Sequence, residues 1–155
     1  MALSTPVATG FTQSFKAALG DVDTNPMEPL GTIRYERNGV YKYVKFSGTT
    51  AVAIGDALCY VLSDTSIQTV DAANSAVGAG IAVAVVASGT VQYGWIQIGG
   101  NCTLSTTTGG AAGNALTNLG ASNKVLKVVA AHTDPQVAIL ISASAPIQVQ
   151  LDYTP

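Results

Sequence analysis

Hydrophobic and polar residues alternate most clearly on either side of Asn38-Gly39, between Thr32-Ile33-Arg34-Tyr35-Glu36-Arg37 and the run Val40 to Phe46. Asn-Gly between two such runs is a strong hairpin signal, because both residues of a tight two-residue turn take positive φ. That turn pairs Arg37 with Val40, Tyr35 with Lys42 and Ile33 with Val44. Ile33, Val40, Val44 and Phe46 then share a face that belongs in a core. Arg34, Glu36, Tyr41, Tyr43 and Lys45 share the other face, an aromatic and basic strip whose members lie within cross-strand reach.

Beyond the hairpin, short apolar runs alternate with Gly, Asp, Asn, Ser and Thr. The strands this predicts are Ala51–Ile54, Ala57–Leu62, Ile67–Val70, Gly80–Val86, Tyr93–Ile98, Cys102–Ser105, Val125–Val129, Val137–Ile141 and Ile147–Tyr153. Val91 to Ile98 holds the single Trp, Trp95, as a core anchor, and Gly99-Gly100 reads as the turn that ends it. Many short strands with regular turn signals predict a mainly β chain, a small antiparallel β-barrel or sandwich. Stretches such as Gly109 to Leu116 are broken by glycine at each turn, at about 1 kcal/mol per residue in a helix.

Residues 1–30 read differently. Pro6, Pro26 and Pro29 interrupt them, and no period is sustained. Phe15 to Leu19 closed by Gly20 fits one helical turn with a glycine cap. The rest is either a loose tail or an extended N-terminal arm docked on a neighbour. Phe11, Phe15, Leu19, Met27 and Leu30 are costly to leave in water, which sets docking on an equal footing with the loose tail. The expected organisation is thus an arm over 1–30 and a barrel or sandwich domain over 31–155.

A weak internal echo links Ala53-Ile54-Gly55-Asp56-Ala57-Leu58 with Ala112-Gly113-Asn114-Ala115-Leu116. Each places a glycine turn at the entry to a strand. Ile67 follows Gly55 at the spacing with which Val125 follows Gly113, so both read as two-stranded units, with chance similarity the competing account.

Composition changes the picture of the surface. The chain has 155 residues, about one domain. It is 48% hydrophobic and only 10% charged, with mean hydropathy +0.35, against about 25% charged residues in an ordinary globular chain. Water-facing area is supplied by Ser, Thr, Asn and Gln, or else is covered by partners, the reading favoured by the rarity of large apolar patches on monomers. A net charge of −2 and a pI near 5.0 argue against nucleic acid as the partner. No apolar run reaches a membrane span, and residues 1–6 lack the start of a secretory signal. Cys59 and Cys102 have no metal-type spacing and read as free thiols.

Candidate chemistry is sparse. The one histidine, His132, sits in His132-Thr133-Asp134-Pro135, a turn-forming sequence rather than a dyad. Asp21, Asp23, Glu28, Asp56, Asp64 and Asp71 show no spacing that pairs them for acid–base work. Gly78-Ala79-Gly80 lacks the third glycine of a dinucleotide fingerprint, and Gly109 to Gly113 lacks the Lys-Ser/Thr of a phosphate loop. The expectation is no enzyme, no cofactor and no metal. Arg34, Tyr41 and Tyr43 fit a protein interface, where Tyr and Arg are favoured, better than a nucleic-acid platform.

Gly55-Asp56-Ala57-Leu58, the run Ala76 to Val86, Tyr93-Gly94-Trp95-Ile96-Gln97 with Gly99-Gly100, Thr106-Thr107-Thr108 and Ala112 to Leu116 resemble the small capsid decoration, or cement, proteins of tailed bacteriophages. The resemblance covers roughly residues 50–150. It implies a structural virion protein on the outer capsid surface, made in the host cytoplasm, a homotrimer bridging major capsid protein subunits and stabilising the shell. The residues expected to meet the capsid are Phe11, Phe15, Leu19, Met27 and Leu30, then Arg34, Tyr41 and Tyr43. A receptor-binding or fibre-type virion module that recognises a host surface is the alternative.

Overall fold

A computed structural model describes residues 14–36, 39–63, 69–72, 77–118, 124–130, 135–144 and 146–153. Its strands, in chain order, are β1 (Val22–Asp23), β2 (Ile33–Glu36), β3 (Gly39–Phe46), β4 (Ala57–Tyr60), β5 (Thr69–Asp71), β6 (Gly78–Ala82), β7 (Gln92–Leu104), β8 (Thr107–Thr108), β9 (Ala115–Thr117), β10 (Leu126–Val128), β11 (Ala138–Ser142) and β12 (Ile147–Asp152). No helix occurs among the described residues. The mainly β expectation holds, and of its two architectures the barrel is the one formed.

Five strands close a barrel in the order β3-β5-β4-β6-β7, with β3 pairing back onto β7. All these pairings are antiparallel except β3 with β5. The closure follows from alternation: every second residue of each strand points inward, and Val44, Phe46, Leu58, Val70, Ile96 and Ile98 are at most 2% exposed.

The hairpin forms in a different register from the one the Asn-Gly signal predicts. Ile33 pairs with Lys42, Arg34 with Tyr41, Tyr35 with Val40 and Glu36 with Gly39. Gly39 therefore enters the strand instead of the turn, and residues 37 and 38 lie outside the described set. Packing explains the choice: a Cβ on Gly39 would lie 2.7 Å from Gln97 Nε2 and 2.9 Å from the Tyr41 hydroxyl. Because the slip is by two residues, the faces survive. Ile33, Val40, Val44 and Phe46 join the main core as expected.

Gly99-Gly100 is likewise not a turn. It lies inside the 13-residue β7, joining the two strands expected on either side. Both edges of this stretch are already in ladders: Val40 and Gly39 on one side, Asp152 and Leu151 on the other. A strand paired on both edges continues.

The internal echo is a structural repeat. Gly55 and Gly113 take φ of 88° and 89°. Ala53 N–H donates to Asp56 Oδ2 at 2.8 Å, and Ala111 N–H donates to Asn114 Oδ1 at 2.7 Å. The N–H of Gly55 reaches the Ala82 carbonyl as that of Gly113 reaches Leu140, and each carbonyl's residue donates back, to Asp56 O and Asn114 O. Ala57 then pairs with Ile81 and Ala115 with Ile139. Ser47, Thr49, Thr50, Ala53, Gly55, Ala57 and Leu58 recur at the same spacing as Ser105, Thr107, Thr108, Ala111, Gly113, Ala115 and Leu116. The second set of strands runs β8-β10-β9-β11-β12, again with the first pairing parallel. The C-terminal half of β7 and then β8 stand where β3 stands in the first unit: β7 pairs with β12, and β8 with β10. One continuous core spans both units, from Val44 to Leu140 and Leu151.

Polar groups tie the units together. Asp56, 4% exposed, accepts from Ser105 Oγ at 2.9 Å and faces Lys124 Nζ at 3.5 Å. Tyr153 donates its hydroxyl proton to Asn118 Oδ1 at 2.8 Å, and Asn118 Nδ2 donates to Cys59 Sγ at 3.5 Å. Cys59 and Cys102 form no disulfide.

Candidate interaction surfaces

The N-terminal segment, over the residues described, is not an outstretched arm. Residues 14–30 fold back on the barrel, and Val22 and Asp23 pair with Gly94 and Tyr93 at the edge of β7. The reason lies on the outer face of β3 and β7, where Tyr43 and Trp95 would otherwise expose two aromatic rings. Ala17 sits over them, and all three are at most 3% exposed. The Ala17 carbonyl accepts from Trp95 Nε1 at 3.1 Å and from Arg34 Nη1 at 3.1 Å. Phe15 meets Trp95 edge-on, with centroids 5.3 Å apart, and Tyr43 meets it at 5.1 Å. The Arg34 guanidinium lies 4.8 Å from the Phe15 ring centre and is paired with Glu36.

The helical turn expected over Phe15 to Leu19 does not form. A single tight turn stands there, with Asp21 N–H donating to the Ala18 carbonyl, and Gly20 does not take positive φ. Tertiary contacts set this path: the chain bends to seat Ala17 between the aromatic rings.

The residues singled out from sequence divide into two groups. Phe15, Leu19, Arg34, Tyr41 and Tyr43 gather around Trp95 in one small core of this chain. Tyr43 is fully buried, so the strip it belongs to is not an open surface along its whole length. Burial pushes the Tyr43 phenol above its usual pKa, and the same cause, aided by Glu36, raises Tyr41. Met27 and Leu30 stay exposed, although Met27 N–H donates to the Tyr43 hydroxyl at 3.1 Å. Phe11 and the His132 to Asp134 turn lie outside the described residues.

An open, uncharged surface belongs to the second unit. Asn101 and Thr103 of β7, Gln148 and Gln150 of β12, and Ile139 and Ile141 of β11 are all exposed. They are cross-strand neighbours: Asn101 opposes Gln150, Thr103 opposes Gln148, and Gln150 opposes Ile139. The alternate residues Leu104, Val149, Leu151 and Leu140 point into the core. No charge lies in this set; Asp152 and Lys127 stand at its margins, on β12 and β10. Sequence reasoning located these strands but not this face, although the alternation Ile147-Gln148-Val149-Gln150-Leu151-Asp152 signals it.

At the junction of the two units lies a hollow of about 640 Å³ lined by Tyr35, Glu36, Gly39, Val40, Gly100, Asn101 and Gln150. Among the described residues no group of three or more His, Cys, Asp or Glu side chains is placed to hold a metal ion.

Comparison with known proteins finds no matching family, curated protein or solved structure.

Proposed function

We propose that this protein is a structural component of a tailed-phage virion, binding the outer surface of the capsid and bracing the shell by bridging major capsid protein subunits. The observation that carries this reading is the uncharged face of β7, β12 and β11. Ile139 and Ile141 are 42% and 43% exposed among Asn, Gln and Thr side chains. Interfaces deplete charge at their centre and keep amide and hydroxyl groups for hydrogen bonds, and this face has that make-up. The chain-wide scarcity of charge, 10%, supports the same conclusion, as does the cement-protein resemblance over roughly 50–150. In the proposed arrangement three copies meet around a three-fold position, so that closed symmetry hides part of each surface.

The mechanism is linkage. A protein that binds only the assembled shell stabilises it by mass action, and each copy joining two or more subunits must be released before the shell opens. The N-terminal residues contribute differently from the first expectation. Phe15 and Leu19 pack against the chain's own sheet, and among the described residues of that region Met27 and Leu30 are the apolar side chains open to a partner.

The test is co-sedimentation of purified protein with capsids that lack it. Saturable binding at a fixed ratio to capsid subunits is expected. The pair Ile139→Asp and Ile141→Asp should bind at least tenfold more weakly, with the circular dichroism spectrum unchanged. No co-sedimentation, or equal binding by the variants, contradicts the reading.

A further inference from the structure

The hollow between the two units is an open groove whose lining mixes an aromatic ring, side-chain amides and bare backbone. Its floor is backbone: Gly39 and Gly100 are direct partners on β3 and β7 and carry no side chains. Gly100 takes φ of 86° within its strand, a conformation that other residues adopt at a cost. Glycine inside a strand marks a place where another group approaches the backbone closely; at Gly39 those groups are this chain's own Gln97 and Tyr41. On one side stands Tyr35, 76% exposed on β2. On the other stand Asn101 and Gln150, directly opposed across β7 and β12.

Hydrogen-bonding capacity at this place is unspent. Among the described residues the Tyr35 hydroxyl and the side-chain amides of Asn101 and Gln150 make no hydrogen bond. Each amide offers two donors and an acceptor with two lone pairs. Among the described residues of the lining the only charged one is Glu36, and Arg34 pairs with it. The volume of about 640 Å³ falls within the range of small-molecule sites, and a second hollow of about 200 Å³ continues past Tyr35 and Val40.

We infer that this groove binds a neutral oligosaccharide. A pyranose ring presents one face of C–H groups, which stacks on an exposed tyrosine ring, and a rim of hydroxyls that both donate and accept. Paired amides meet such hydroxyls in either sense. The Glu36 carboxylate, the one charge among the described residues of the lining, disfavours a sialic acid or a phosphate, and the flat backbone floor admits the C–H face of a pyranose chair. The groove shares Asn101 and Gln150 with the proposed shell-binding face, whereas Tyr35 belongs to the groove alone, so Tyr35→Ala distinguishes failure of this inference from failure of that reading.

The experiment presents the purified chain to a panel of neutral oligosaccharides built from glucose, galactose, mannose and N-acetylhexosamines, with sialylated counterparts alongside. Hits are measured by saturation-transfer NMR. Binding of at least one neutral member is expected. Tyr35→Ala and Gln150→Ala should each weaken it about tenfold, while Tyr35→Trp retains it, because stacking needs only an aromatic face. The Tyr35 and Gln150 side chains are exposed, and unchanged thermal melting of the variants excludes unfolding as the cause. Absence of binding across the neutral panel, preference for the sialylated forms, or full binding by both alanine variants overturns the inference.

Discussion

The indole N–H of Trp95 donates to the carbonyl of Ala17 at 3.1 Å, across a sequence separation of 78 residues. This one bond joins the central strand of the barrel to the segment that covers it. Both groups are buried, so the indole N–H would be left unsatisfied without this carbonyl, which itself also accepts from Arg34.

Replacing Trp95 tests that join. Trp95→Phe keeps the ring but removes the donor, and should cost about 1–2 kcal/mol in urea denaturation, the worth of one buried hydrogen bond plus slight underpacking. Trp95→Ala should cost about 3–5 kcal/mol. In both variants limited proteolysis should cut first within residues 14–20, since these lose their anchor.

The two glycine turns of the repeat should respond unequally to the same change. Gly55 and Gly113 share nearly the same positive φ, so alanine is strained by about 1–2 kcal/mol at either. A Cβ at Gly55 would also lie 2.5 Å from the backbone N of Ser105, whereas at Gly113 it meets open space. Gly55→Ala should therefore be the more destabilising by at least about 1 kcal/mol, because packed backbone must move to admit the extra carbon. Thermal melting of the two variants side by side checks this.

Stability should fall in alkali. Burial pushes the Cys102 thiol from 9.0 up to about 12 and raises the Tyr153 phenol well above 10.0. Both folded-state pKa values exceed the unfolded ones, so above pH 9 the unfolded chain holds fewer protons than the folded one and gains in relative stability. The contribution of Cys102 is whole below about pH 9 and is lost as pH rises toward about 12. Urea denaturation from pH 7 to 11 should show a level stretch and then a decline. Cys102→Ala should make that decline shallower, whatever it does to the stability at pH 7.

Much of the fold was legible because alternation is a local property. Ile147 to Asp152 announces a half-buried strand by itself, and the hairpin faces follow from parity alone. Registers were less legible, since glycine serves two purposes that look alike in sequence. Gly39 reads as a turn residue, yet its place is fixed by Gln97 and Tyr41, from a partner strand and two positions along. Gly99-Gly100 reads as a turn for the same reason, and only its double pairing makes it strand.

The candidate surfaces were harder to read. Phe15, Leu19 and Tyr43 carry the same apolar and aromatic character whether they meet a partner or their own sheet. What separates the two is the fold-back at Ala17, whose small side chain gives no signal in sequence. Tyr35, two residues beyond the half-buried Ile33 on the same strand, is 76% exposed, because β2 is an edge strand beyond the barrel wall.

Shell stabilisation is the central claim, and heat is its most direct measure. Capsids lacking this protein are heated with and without it at saturating concentration, and release of their contents is followed against temperature. The account predicts that the wild-type chain raises the release temperature and that the Ile139→Asp, Ile141→Asp pair does not. Release at the same temperature with and without the wild-type protein, despite full occupancy, would contradict it.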